Sequence, residues 1–200
     1  MMPHQLNWQE ICQMIPKRKA DAQKGDFGRL LCITGSRNMP GACLLSTQAA
    51  LRGGAGLVTV ATAPENPMRL AAAAPEAMWL PLETDEAGFL RSSDQNRKTL
   101  EKSLSHANAV LLGCGLGVTE ETRRLVHWVL EQAACPVVLD ADGLNCAVSC
   151  IELSRRTGKD WILTPHPGEM ARLTGRSIPQ IQENRVETAT QFAAAYPVTL

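Results

Sequence analysis

The amino-acid sequence predicts an α/β fold on a mostly parallel central sheet with helices on both faces, and three observations lead to it. Short apolar or β-branched runs recur at 30–34, 57–61, 78–82, 109–112, 136–139 and 161–164. Segments of helical composition separate them, as the crossover connections of parallel strands require. Several runs exit into turns rich in Gly, Pro, Asn and Asp, the residue types that redirect a chain at a strand end.

Along the chain, residues 42–52 are rich in Ala and Leu and close at Gly53-Gly54, a helix stop. The polar stretch 83–95 reads as a surface loop, with Asp94 expected to cap a helix over 95–105. Residues 120–132 begin with acidic side chains, which complement a helix N-terminus, and Thr119 is placed to cap them. Pro167 suits the first turn of a helix continuing through Gly168-Glu169-Met170. Ser177 precedes Ile178-Pro179 and a pattern carried by Ile181, Val186, Ala189, Phe192 and Ala193, expected to be the longest helix. Pro197-Val198-Thr199-Leu200 then has the character of a strand start without a partner. A C-terminally incomplete fold is expected, with aggregation through an open edge. No repeat, low-complexity stretch or linker divides the chain, so residues 1–200 are expected to form a single domain.

Composition narrows the function. Lys plus Arg and Asp plus Glu number twenty each, so the charge balance gives no polyanion-binding surface. Aromatics make up 4% of the chain, too few for the stacking platforms of single-strand readers, and no nucleic-acid partner is expected. No apolar run approaches the roughly 20 residues that span a bilayer, nor is there a signal-peptide core, so no membrane partner is expected. Seven cysteines without a C-x-x-C pair read as reduced core thiols of a cytoplasmic protein.

Ligands of parallel α/β sheets bind beyond the carboxyl ends of the strands, and four turns there carry chemistry. The first, Gly35-Ser-Arg-Asn-Met-Pro-Gly-Ala42, has the glycines to cradle an anion at a helix start, or to make an ordinary strand-to-helix turn. It is not a P-loop, because five residues separate its glycines and no Lys-Ser/Thr follows. Gly113-Cys-Gly-Leu-Gly117 offers amides to a phosphate or ribose, but Val118 stands where a dinucleotide fingerprint needs its third glycine. In Asp140-Ala-Asp-Gly-Leu-Asn145 both carboxylates would face one side of an extended segment, suiting outer-sphere Mg²⁺, substrate hydroxyls or a capped turn. Thr164-Pro-His-Pro-Gly-Glu169 holds His166 at a helix start, where its imidazole would donate a hydrogen bond or move a proton at neutral pH, or serve only the loop. His166→Ala is expected to weaken ligand binding while leaving the melting temperature nearly unchanged.

Together and in order, K-G-D-F-G-R-L-L-C-I-T-G-S, P-G-A, A-L-R-G-G-A-G-L-V-T-V, G-C-G-L-G, V-L-D-A-D-G-L-N and L-T-P-H-P-G-E-M-A-R-L resemble the ADP-dependent NAD(P)H-hydrate dehydratase family. The likeness runs from Lys24 to Thr174 and on towards Leu200. It implies a ribokinase-like fold and nicotinamide-nucleotide repair, in which ADP or ATP with Mg²⁺ drives dehydration of NAD(P)H hydrate to NAD(P)H. It further implies that Ala42, Gly117 and His166 contact the hydrated dinucleotide, while Asp140, Asp142, Asn145 and Glu169 line or support the pocket. Cys114 departs from the family, where Pro is commoner. The resemblance also implies a Lys-Gly nucleotide loop and a Gly-x-Gly-Asp segment whose Asp acts at the reacting hydroxyl. Neither occurs in these 200 residues, so no catalytic residue and no direct metal ligand is assigned, and little dehydratase activity is expected of them alone. A vitamin-precursor kinase of the same superfamily and a non-catalytic dinucleotide-binding module are the competing readings. ADP against ATP, NADH hydrate against NADPH hydrate, and whether the protein forms a homo-oligomer stay open.

Overall fold

The computed structural model describes residues 5–15, 17–157 and 160–200. In chain order the elements are α1 (Trp8–Met14), β1 (Arg29–Ile33), α2 (Pro40–Arg52), β2 (Leu57–Thr62), α3 (Asn66–Leu70), β3 (Met78–Pro81) and α4 (Asp94–Leu104). There follow β4 (Ala109–Leu112), α5 (Glu120–Gln132), β5 (Val137–Leu139), α6 (Asp142–Ala147), α7 (Leu153–Thr157), β6 (Trp161–Leu163), α8 (Pro167–Thr174), α9 (Ile178–Glu183), α10 (Arg185–Ala195) and β7 (Val198–Thr199). Every apolar run read as a strand forms one.

The seven strands lie in the order β3-β2-β1-β4-β5-β6-β7, and every pairing is parallel. From β1 the chain winds outward to β2 and β3, then returns to the other flank of β1 to lay down β4 and the rest. The winding direction reverses between β1 and β4, so the loops leaving those two strands diverge, which is where ligands of open α/β sheets bind. Registers are short but definite: Ile33 lies between Ala61 and Leu112.

Successive side chains of a strand face opposite sides, and the core divides accordingly. Leu31 and Ile33 of β1 join a large cluster with Leu112, Leu125, Val129, Leu139 and Phe192, whereas Cys32 joins Cys43, Val58, Val60 and Leu70 on the other face. Helices α2 and α3 therefore cover one face, and α4, α5 and α10 contribute to the other. Buried Leu125, Val126, Val129 and Leu130 form a single face of α5, which Thr119 caps by accepting from the Thr122 amide.

Four expectations need correction. Ser93, not Asp94, caps α4, because its hydroxyl accepts from the Asn96 amide while Asp94 is the first helical residue. The stretch 83–95 is not simply a surface loop: Thr84 and Leu90 form an antiparallel bridge, and Leu90 is wholly buried. The long terminal helix is two helices, since Asn184 leaves helical geometry at φ −134° and ψ 52° between α9 and α10. Finally, the strand start at Val198 is not unpaired, because Val198 and Thr199 register with Trp161 and Ile162. The strand itself is docked on β6.

Candidate functional site

The four chemistry-bearing turns leave β1, β4, β5 and β6, which are consecutive neighbours in the sheet. Spatial adjacency follows from topology, and hydrogen bonds complete it. The Gly35 amide donates to the Cys114 carbonyl at 2.8 Å, joining the first turn to the second. Ala42 sits in the first turn of α2, so close to the second turn that a Cβ built on Gly115 would lie 2.7 Å from its own Cβ. No side chain caps α2 and Pro40 stands at its start, so the amides of Gly41 and Ala42 are first-turn donors for a ligand or solvent.

The second and third turns interlock. A Cβ at Gly113, where φ is +132°, would lie 2.0 Å from the Asp140 carbonyl, so only glycine permits this approach. The Gly117 amide donates to Asp142 Oδ2 at 2.8 Å. Asp140 and Asp142 do not share an extended segment, contrary to expectation. Ala141 adopts φ 52° and ψ −118°, and the Gly143 amide donates to the Asp140 carbonyl, making a tight turn that starts α6. The two carboxylates consequently serve different partners. Asp140 Oδ1 accepts from the Thr164 hydroxyl at 2.7 Å, and its Oδ2 accepts from the Cys114 thiol at 3.3 Å. Burial, then that bond to Asp140, pushes the Cys114 thiol up to about 12.

The fourth turn is built around His166, which caps α8. Its Nδ1 accepts from the Gly168 amide at 3.0 Å, so the ring proton resides on Nε2, 3.1 Å from Glu169 Oε1. The other Glu169 oxygen accepts from the His166 amide at 2.9 Å. The carboxylate is nearly buried while the imidazole is largely exposed, so Glu169 fixes a ring that faces solvent. Asn145 Oδ1 accepts from Arg172 on α8 at 2.9 Å, bracing α6 against that helix. Beside this turn an apolar cleft of about 250 Å³ runs between Pro165, Pro167 and Ile181, with Arg185 as its charged lining residue.

The structure thus brings Ala42, Gly117, Asp140, Asp142 and the loop bearing His166 and Glu169 to one end of the sheet, while Asn145 bonds Arg172 of α8. Two neighbours escaped sequence reasoning. Arg185 lies on a helix whose position depends on the break at Asn184. Phe89, whose ring lies against Gly117, belonged to a stretch read as polar. An aromatic-apolar pair, Phe89-Leu90, inside that stretch was the available signal.

The chain is similar to several known proteins. The bifunctional NAD(P)H-hydrate repair enzyme Nnr of Coxiella burnetii is 38% identical over 191 residues, spanning 96% of this chain and 36% of that protein. The ADP-dependent (S)-NAD(P)H-hydrate dehydratase of Xanthomonas campestris is 36% identical over 170 residues, covering 85% of this chain and 56% of that enzyme. Among solved structures, the ADP/ATP-dependent NAD(P)H-hydrate dehydratase of Bacillus subtilis, co-crystallized with ATP/Mg²⁺, superposes with a TM-score of 0.72 at 30% identity, over 95% of this chain and 62% of that one. The chain therefore spans between about a third and two thirds of the length of these relatives. Residues 30–200 match the carbohydrate-kinase family model described as NAD(P)H-hydrate dehydratase, and the chain belongs to that family.

Proposed function

We propose that this chain forms the dinucleotide side of an ADP- or ATP-dependent NAD(P)H-hydrate dehydratase, a repair enzyme that returns the hydrated cofactor to NAD(P)H. The observation that carries the reading is the uncapped start of α2 facing the glycine turn at the strand reversal, where Gly41 and Ala42 offer amides to a phosphate-bearing ligand. Ala42, Gly117 and His166 would contact the hydrate. Asp142 holds Gly117, Asp140 holds Thr164 and Cys114, Glu169 fixes the His166 ring, and Asn145 braces α8. Each supporting residue has a bond that explains its part.

The chemistry would transfer the terminal phosphoryl group of ADP or ATP to the hydrate hydroxyl, releasing AMP or ADP, and then expel phosphate while the neighbouring ring carbon loses a proton to solvent as the ring double bond forms. Such transfer depends on positioning and charge stabilisation, the tasks that amides at helix starts perform. Within these residues we assign binding and positioning roles only. Among the described residues no group of three His, Cys, Asp or Glu side chains is placed to hold a metal ion, and both Asp140 oxygens are engaged.

A cytoplasmic setting accords with the buried thiols of Cys32, Cys43, Cys146 and Cys150; among the described residues no helix is long and apolar enough to cross a membrane. The test uses the full-length gene product with freshly prepared NADH or NADPH hydrate, Mg²⁺ and either ADP or ATP. Recovery of reduced-nicotinamide absorbance with release of inorganic phosphate is expected. A stable phosphorylated product without that recovery would identify a small-molecule kinase instead.

A further inference from the structure

The connection between β3 and α4 has no role in the reading above, yet it reaches the glycine turn after β4. Asp85 and Phe89 close it into a hairpin: the Asp85 amide donates to the Phe89 carbonyl, and the Phe89 amide donates to Asp85 Oδ1, each at 2.9 Å. Asn96 locks its base by accepting from the Glu83 amide and donating to the Glu83 and Arg91 carbonyls.

Arg37, in the turn after β1, holds the tip. Its amide donates to the Gly88 carbonyl and its Nη1 to the Glu86 carbonyl, both at 2.9 Å, while its Nε is 2.7 Å from Glu65 Oε1. The contact is so close that a Cβ on Gly88 would lie 2.5 Å from the Arg37 Cβ. This arrangement fixes the Phe89 ring against Gly117, where an added Cβ would meet ring carbons at 2.3 and 2.4 Å. Phe89 remains partly exposed and is a member of neither core cluster. An aromatic ring is thus held rigidly at the glycine turn after β4 without serving the core.

We infer that Phe89 is the aromatic wall of the dinucleotide site, packing against a ring of the bound dinucleotide, purine or hydrated pyridine, and that Arg37 is the positioning residue that keeps it there. The inference rests on the substrate reading proposed above. A ring stacked on an aromatic side chain contributes enough to binding that its loss weakens affinity about tenfold.

The test titrates the full-length protein, Phe89→Ala, Phe89→Leu, Arg37→Ala and the Phe89→Leu/Arg37→Ala double variant with NADPH, recording melting curves alongside. Wild type is expected to bind, and both Phe89 variants to bind about tenfold more weakly; Phe89→Leu retains apolar volume and should melt within a few degrees of wild type. Arg37→Ala should also weaken binding, and the double variant should be no weaker than Phe89→Leu, as for residues acting through one contact. Repeating the titrations with reduced nicotinamide mononucleotide and with 2′-phospho-ADP-ribose identifies the ring, because only the fragment that packs on Phe89 loses affinity. Wild-type affinity in Phe89→Leu would overturn the wall alone, and additive losses in the double variant would overturn the role of Arg37. Failure of wild type to bind NADPH would overturn the substrate reading and the wall together.

Discussion

The Gly117 amide and the Asp142 carboxylate, 25 positions apart in sequence, are joined by a 2.8 Å hydrogen bond that ties the turn after β4 to the first residue of α6. Asp142→Ala would strand that amide. A bond to a charged acceptor contributes about 1.5–3 kcal/mol when fully buried, and this one is part-buried, so about 1–2 kcal/mol is expected. The melting temperature should fall by roughly 2–8 °C, and NADPH affinity should fall with it. Asp142→Asn keeps an acceptor and should lose less than half as much. Calorimetry and titration of the two variants check this, and an alanine variant as stable as wild type would remove the bond from the account.

His166 is a cap as well as a candidate contact, which revises the expectation that His166→Ala leaves stability untouched. Losing a side-chain cap costs about 1 kcal/mol, or roughly 2–4 °C in a chain of this size. His166→Asn, whose side-chain oxygen can accept from the Gly168 amide, should recover most of that stability without restoring the imidazole. If Asn restores melting but not NADPH affinity, the ring contacts the ligand. Recovery of both would reduce His166 to its capping role.

The pattern of these residues explains what sequence could and could not deliver. Every strand up to β6 was legible because each is a short apolar run between polar segments, and that pattern is local. The four turns were legible too, since Gly, Pro, Asp and His cluster immediately after the runs. Partnerships were not legible: nothing local says that Asp142 meets Gly117 while Asp140 meets Thr164, because Ala141 breaks the extended geometry that would have aligned the carboxylates. Phe89 was hidden for the same reason. Its place depends on Arg37, some fifty residues earlier, which bonds the hairpin only once β1, β2 and β3 lie side by side.

Ala141 is, among the described residues, the only non-glycine with positive φ, and its φ 52° and ψ −118° match the first central position of a type II′ turn, which favours glycine. Ala→Gly ordinarily destabilises by raising the entropy of the unfolded chain. Here relief of a strain of about 1–3 kcal/mol outweighs that cost. Ala141→Gly is therefore expected to raise the melting temperature by roughly 2–4 °C while leaving the Asp140 and Asp142 bonds intact. A drop in melting temperature would show that the turn bears no strain.

The thiols provide a test that needs no ligand. Cys12 is exposed, five cysteines are buried, and Cys114 is half-buried with its proton directed at Asp140. Burial pushes Cys32 and Cys114 up to about 12 and Cys150 up to about 11, and it raises Cys43 and Cys146 as well. The thiolate is the reactive form, so at pH 8 a disulfide-exchange reagent should modify Cys12 rapidly, and Cys32, Cys43, Cys114, Cys146 and Cys150 only as fast as the protein opens. Cys12→Ser should abolish the fast phase. The same shifts set the alkaline limit of stability. A thiol whose folded pKa is raised contributes fully below its unfolded value near 9, and that contribution is lost as pH climbs towards the folded value. Melting temperature should therefore decline between about pH 9 and 11, and Cys114→Ser should make the decline shallower, because the hydroxyl keeps the bond to Asp140 without ionising. An unchanged slope in Cys114→Ser would show that this thiol does not sense the folded environment.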